Sequence, residues 1–174
     1  MLVSDDEKLI THARHLSTQA REPAPHYEHT EYGYNYRMSN VIAGIGRGQI
    51  EVLDERIRRR REIYARYYES LSEIQGLSFM PEIKGSIGNR WLTTLILPES
   101  ISTEQLRLAL EEENIESRPL WKPMHAQPLF HGVQNRLNGI SDTLFQRGIC
   151  LPSGSSLSDD EIQLIINLIK QKLL

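Results

Sequence analysis

Apolar residues at Ile42, Ile45, Ile50, Leu53, Ile57, Tyr64, Tyr67 and Leu71 recur at helical steps from 39 to 74. An ordinary helix has about 11–12 residues, so a stripe kept this long predicts a helix that joins two lobes. The residues on either side therefore have to be read as two bodies. Ahead of it, Ser4 followed by Asp5, Asp6 and Glu7 has the form of a helix N-cap with acidic residues in the first turn, and Leu9, Ala13 and Leu16 give that helix an apolar stripe. Met1, Leu2 and Val3 read as the tail of a strand. Between the two helices the run 21–38 carries two prolines and a glycine without helical period, which predicts an ordered, hydrogen-bonded loop.

Beyond 74 the texture changes. LSFM and RWLTTLILP read as strands, the second closed by Pro98. Ser102 with Gln105 forms a capping box that opens a helix, IESRPLW reads as a short strand ending at Pro119, and KPMHAQPLF is a proline-stiffened loop. A weak helix around Thr143 to Arg147, a strand ICLP and a last helix capped by Ser158 and Glu161 follow. That last helix carries an apolar face of Ile162, Ile165, Ile166 and Ile169. This predicts a compact α/β lobe with few strands.

Composition excludes more than it assigns. A chain of 174 residues, 39% hydrophobic and 25% charged, can bury a core without staples, and its net charge of -3 gives no general attraction for nucleic acid or membrane. One cysteine, Cys150, cannot close an internal disulfide and is expected as a buried reduced thiol in a cytoplasmic protein. AGIGRG at 43–48 lacks the third glycine and the preceding strand of a dinucleotide fingerprint, so Gly44 and Gly48 are read as close helix packing. The arginines of RIRRRR at 56–61 stand among Glu51, Asp54, Glu55 and Glu62, which predicts a salt-bridged face rather than a nucleic-acid footprint. The pairs His12/His15 and His26/His29 have no third ligand in the sequence pattern, and no metal is expected. Ser153 to Ser155 are accounted for as the approach to a capped helix.

Two stretches keep a chemical reading. GYNYRM at 33–38 gathers Tyr34, Asn35, Tyr36 and Arg37 ahead of a helix capped by Ser39; a helix-start turn explains the tyrosines but leaves Asn35 and Arg37 without a task. In SRPLWKPMHAQP at 117–128, Arg118, Trp121, Lys122 and His125 could hold an anionic ligand, or the loop could be a surface loop anchored by a buried tryptophan.

In that order and at these separations, GYNYRMSNVIAGIGRGQIEVLDERI, IESRPLWKPMHAQPLF, ICLPSG and SLSDDEI resemble the C-terminal half of the DegT/DnrJ/StrS family. Its members are pyridoxal-phosphate-dependent aminotransferases of nucleotide-linked keto sugars; the likeness spans essentially the whole chain and leans toward the branch making acetamido sugars of the bacillosamine type. The resemblance implies the α/β architecture of a fold type I aminotransferase: a large-domain remnant and long connecting helix, followed by a small α/β lobe with a short, partly antiparallel sheet. Residues 1–72 would be the end of the large, cofactor-binding domain and 73–174 the small C-terminal domain of a cytoplasmic homo-oligomer. It further implies that Asn35 reaches the cofactor phosphate of a partner subunit and that Arg37, with Tyr36, faces the substrate diphosphate. Trp121, Lys122 and His125 would help line the sugar-nucleotide cleft, and glutamate would be the amino donor. Lys8, Lys84, Lys122, Lys170 and Lys172 are the chain's lysines, and none sits in a segment resembling the family's Schiff-base lysine motif. The chain alone is expected to be inactive, with a truncated frame, proteolysis or deliberate shortening as the reasons weighed for its start at Met1. The alternative is a non-catalytic interaction or regulatory module derived from the family.

Overall fold

The structure, a computed structural model, describes residues 2–174 and falls into two compact units, one extending to Val52 and the other Leu53–Leu174. In the first, α1 (Glu7–Ser17) is capped by Asp6, whose carboxylate accepts from the Leu9 N–H at 3.0 Å. Ser4 was expected in that role. Its hydroxyl instead accepts from the Asp6 N–H at 3.1 Å, so the acidic residue two places on wins the cap. Leu2 and Val3 lie in no strand, and Met1 lies outside the described residues.

α1 ends by an unusual route. The N–H groups of Thr18 and Ala20 both reach the His15 carbonyl, while Gln19 and Ala20 take left-handed backbone angles with φ of 68° and 49°. The chain then returns along the end of α1, as described below. α2 (Asn40–Glu51) starts at Ser39, whose side chain accepts from Ile42 N–H.

The stripe from 39 to 74 is not one helix. Val52 sits at φ −110°, ψ 6°, and its N–H turns back to Gln49, so helical hydrogen bonding stops there and resumes in α3 (Leu53–Leu71). No proline or glycine marks the break, and the apolar period carries on through it, which is why periodicity alone reads straight across. After α3 the Ile74 and Leu77 N–H groups make turn hydrogen bonds, and Gly76 supplies φ +81° against the Pro98 ring.

The second unit is built on a four-stranded antiparallel sheet of order β1-β2-β4-β3: β1 (Ser78–Phe79), β2 (Thr93–Ile96), β3 (Arg118–Pro119) and β4 (Gly148–Leu151). Strand alternation sends Leu95 and its partner Ile149 to one face, with Leu151 beside them, and Thr94 with Cys150 to the other. The first face is covered by α3, α4 (Thr103–Glu111) and α6 (Asp159–Leu173). They contribute Ile63, Tyr67, Leu71, Leu106, Leu110 and the expected Ile162, Ile165, Ile166 and Ile169 to one buried core. Both anticipated capping boxes, at Ser102/Gln105 and Ser158/Glu161, are formed. α5 (Ile140–Arg147) begins earlier than its sequence suggested, at Gly139 with φ 76°.

Gly148 is where α5 gives way directly to β4. A Cβ there would lie 2.1 Å from Leu120 Cδ1 and 2.4 Å from the Leu144 carbonyl oxygen, closer than atoms can approach. The carbonyl belongs to the backbone of α5 and cannot rotate away. We expect Gly148→Ala to lower unfolding stability by about 1–3 kcal/mol, the range for overpacking. Gly154→Ala, whose Cβ would meet nothing nearer than Ser156 Oγ at 3.7 Å, should change stability little. Urea denaturation of both variants checks the contrast.

Candidate functional site

In the first unit the GYNYRM stretch is pinned by its backbone. Tyr34 N–H donates to the Leu16 carbonyl, Gln19 N–H to that of Tyr34, and Tyr36 N–H to that of Ser17, so Asn35 pairs with Thr18 in a short antiparallel bridge. Gly33 permits this approach: a Cβ would sit 2.4 Å from the Ala20 nitrogen and 2.7 Å from the Leu16 oxygen. The Nδ1–H of His29 spans the Gln19 and Ala20 carbonyls at 3.0 and 3.1 Å, tying the left-handed corner to the same loop. Tyr34 and Tyr36 stack with ring centres 5.5 Å apart. Held this way, the side chains of Asn35 and Arg37 are exposed and make no hydrogen bond or ion pair with any described residue. A multi-donor amide and a guanidinium on a fixed backbone, with their donors uncommitted, are suited to an anion.

The histidines nearby go to carboxylates and carbonyls. His15 lies 3.7 Å from Glu22 and 3.6 Å from Glu31, His12 3.5 Å from Glu31, and His26 2.7 Å from Glu28. Among the described residues no group of three or more His, Cys, Asp or Glu is arranged to hold a metal ion. The glycines of α2 meet nothing within 4 Å of a built Cβ, so among the described residues no backbone occupies the close approach that Gly44 and Gly48 allow.

In the second unit the loop after β3 carries Trp121, Lys122 and His125 through two 3-10 turns, Met124–Ala126 and Pro128–Phe130. His125 is fixed by α5: its Nε2–H donates to Asp142 at 2.8 Å. Lys122 is exposed. Arg118 is spoken for by Glu116, 2.5 Å away. Trp121 is not the buried anchor the sequence allowed, being 67% exposed. It stands instead beside Trp91, itself 59% exposed, with ring centres 6.4 Å apart and planes tilted by 39°.

The two indoles separate two hollows on the face of the sheet away from the core helices. One, of about 640 Å³, is floored by Cys150 to Ser153 and walled by Leu120 and Phe145. The other, of about 550 Å³, lies under the loop from Met80 to Leu92. Cys150 is buried and burial pushes its thiol above the ordinary value against the opposing charge of Arg118, which leaves it unreactive. Ser153 does not serve the following helix; its hydroxyl accepts from Thr93 N–H and donates to the Leu151 carbonyl, closing the β2–β4 ladder.

The arginine run was expected to pair along its own helix, and among the described residues Arg58 and Arg59 do so, with Glu62. Arg59, Arg60 and Arg61 also reach out of α3. Arg59 donates to the Leu157 carbonyl and to Asp159 at 2.9 Å, Arg60 to the Trp91 carbonyl, and Arg61 to Glu82 at 3.0 Å and the Gly88 carbonyl. Arg90, missed in the sequence, completes this knot: its side chain is 9% exposed, lies over the Tyr64 ring at 3.9 Å, and donates to the Met80 carbonyl. The only available signal was its place in NRW directly ahead of the strongest strand.

Glu82 gathers the loop that carries Trp91. It accepts from Arg61 and from the Gly88 N–H at 2.6 Å, and these bonds hold its carboxyl down at about 2 rather than the usual 4.5. A depressed carboxylate stabilises the fold fully above its ordinary value and loses that contribution as pH falls toward 2. We therefore expect stability to fall between about pH 4.5 and pH 2 more steeply in the parent than in Glu82→Gln, measured as urea midpoints across that window.

Residues 1–170 match the DegT/DnrJ/EryC1/StrS aminotransferase family. EpsN of Bacillus subtilis, assigned as a pyridoxal phosphate-dependent aminotransferase, is 50% identical over 173 residues, covering 97% of this chain and 45% of its own length. A GDP-perosamine synthase of Vibrio cholerae is 35% identical, covering 98% and 47%. Among solved structures, the aminotransferase TlmJ from Streptoalloteichus hindustanus superposes with a TM-score of 0.86 at 26% identity, covering 97% of this chain and 46% of that one. The chain thus spans less than half the length of these relatives and corresponds to their C-terminal part. Among the described residues no helix is long and apolar enough to cross a membrane. The chain belongs to the DegT/DnrJ/EryC1/StrS aminotransferase family, a family of sugar aminotransferases.

Proposed function

We propose that this chain is the C-terminal portion of a pyridoxal-phosphate-dependent aminotransferase that acts on nucleotide-linked keto sugars in the cytoplasm. Its amino donor is glutamate, and its working form is a homo-oligomer whose subunits share their sites. Residues 1–72 close the large cofactor domain and 73–174 form the small domain. The GDP-perosamine synthases among the relatives support the sugar-nucleotide class. The observation that carries the reading is the pinned loop, which presents Asn35 and Arg37 with their side-chain donors uncommitted to any described residue.

The residues present fit one part of the cofactor, its phosphate. The Asn35 amide would donate to a phosphate oxygen of the partner subunit's cofactor, its backbone position fixed by the bridge to Thr18. Arg37 offers its planar fork to the substrate diphosphate, with Tyr36, stacked on Tyr34, beside it. Lys122 adds an exposed cation, His125 a ring N–H held by Asp142, and Trp121 an aromatic face to the cleft. When bound, pyridoxal phosphate supplies the electron sink that transamination needs. Proton movement at the reacting carbon belongs to a cofactor-bearing lysine, and none of the five lysines here lies in a segment like that motif. The chain by itself therefore binds and orients but does not turn over.

A second reading, a non-catalytic interaction module, is favoured by the exposed Val41, Ile42, Ile45 and Ile50 of α2. One experiment separates the two. The chain is mixed with a full-length relative that keeps its lysine but has lost its own loop asparagine, and pyridoxal phosphate affinity is read by absorbance titration. Asn35 should tighten the cofactor roughly tenfold over Asn35→Ala, the scale of a hydrogen bond to a charged group. Equal affinities would favour the interaction module. Product formed by the chain alone from cofactor, glutamate and a nucleotide-linked keto sugar would overturn the assignment of no turnover.

A further inference from the structure

Both tryptophans of the chain are exposed, so burial does not fix where either indole stands. The residue before Trp91 is treated in the opposite way. Arg90 lies with its guanidinium over the Tyr64 ring at 3.9 Å, its side chain only 9% exposed. One terminal nitrogen donates to the Met80 carbonyl at 3.1 Å and the other lies 3.6 Å from Glu82. In this seat its backbone takes φ 49°, a left-handed angle that residues other than glycine, asparagine and aspartate seldom adopt. Arginine ordinarily keeps its charged head in water. The seat is braced in turn: Tyr64 stacks on Tyr68 with ring centres 6.1 Å apart and takes Phe79 edge-on at 5.7 Å, and Phe79 packs against the core. Trp91 itself is held on both sides of its backbone. Its N–H donates to Asn89 Oδ1 at 3.0 Å, and its carbonyl accepts from Arg60 of α3.

We infer that Arg90 is a positioning residue: clasped by Tyr64, Met80 and Glu82, it fixes the backbone from which the Trp91 indole projects and so assembles the Trp91–Trp121 pair. An exposed ring on an irregular loop keeps much of its rotamer freedom. What the fold can fix is the Cα from which the ring starts, and there these contacts converge. Arg60 holds the peptide that follows Trp91; Arg90 and Asn89 hold the one that precedes it. The bearing on function rests on the reading proposed above, in which Trp121 lines the sugar-nucleotide cleft. Arg90 then shapes that cleft through Trp91 rather than by contact with what binds there.

Indoles with ring centres 6.4 Å apart couple their transitions, so the pair contributes circular dichroism that neither ring gives alone. Because the chain has two tryptophans, this pair signal is the departure of its spectrum from the sum of Trp91→Phe and Trp121→Phe, with the double variant as shared background. Each Arg90 variant is read the same way, without denaturant, and its urea midpoint is measured alongside. Arg90→Asn tolerates the left-handed angle but is too short to reach Tyr64, and should lose at least about half of the pair signal while staying folded. Arg90→Lys keeps a charge over the ring without the planar fork, and should fall between Arg90→Asn and the parent. Arg107→Ala, which removes an arginine of α4 paired with Glu104 and Glu111, should leave the signal unchanged. A residue that only stabilised the fold would lower the urea midpoint and leave the pair signal of the folded chain intact. That outcome in Arg90→Asn overturns the inference, and so does a parent spectrum equal to the sum of its single-indole variants. Where Arg90→Asn does not fold, Tyr64→Leu, which removes the seat and keeps the arginine, decides by the same criterion. No cofactor or substrate enters the measurement, so failure here leaves the aminotransferase reading standing, and failure of the Asn35 test leaves the role of Arg90 in the pair intact.

Discussion

The ladder between β2 and β4 carries the second unit. Its pairs, Thr93 with Leu151 through Ile96 with Gly148, place Leu95, Ile149 and Leu151 on one face, and α3, α4 and α6 bury that face. A one-residue slip would turn Leu95 and Ile149 outward and bring Thr94 and Cys150 onto the helices. Ser153 guards the register at one end by bonding both strands, and Gly148 guards it at the other by leaving no room for a side chain under α5. The same register fixes the opposite face, where the hollows beside Trp91 and Trp121 lie. Core and candidate site are thus two sides of one strand pairing.

α3 does more than fill the core. Ile63, Tyr67 and Leu71 face inward, Tyr67 donating to the Pro152 carbonyl at 3.1 Å, while Arg59, Arg60 and Arg61 reach out to α6, to Trp91 and to the Glu82 loop. Exposed ion pairs contribute little to stability one by one. Their consequence here is positional: irregular segments without a core of their own are held by charge-assisted bonds to carbonyls and carboxylates. The loop bearing Trp91 depends on this, since Glu82 gathers Arg61, Arg90 and the Gly88 N–H at one carboxylate.

The loop around Asn35 is held by different means. It has no strand neighbours beyond a single bridge, and its rigidity comes from backbone hydrogen bonds to the frayed end of α1, made possible by Gly33 and the left-handed Gln19 and Ala20. Holding the backbone rather than the side chains leaves Asn35 and Arg37 free to engage something outside the chain.

The sequence by itself determined what depends on neighbours a few residues apart. The capping boxes at Ser102 and Ser158, the isoleucine face of the last helix, strands within RWLTTLILP and at ICLP and the motifs that mark the family were all legible, because caps, period and turn residues are local. Only the tertiary structure decided the rest. The break at Val52 lies inside an unbroken apolar period, Asp6 outcompetes Ser4 by geometry, and Arg59, Arg60 and Arg61 reach carbonyls and carboxylates distant in sequence. Trp121 meets Trp91 and Asp142 meets His125 across long separations in the chain. Such contacts are set by which segments the β2–β4 pairing brings together, and no local pattern encodes that choice.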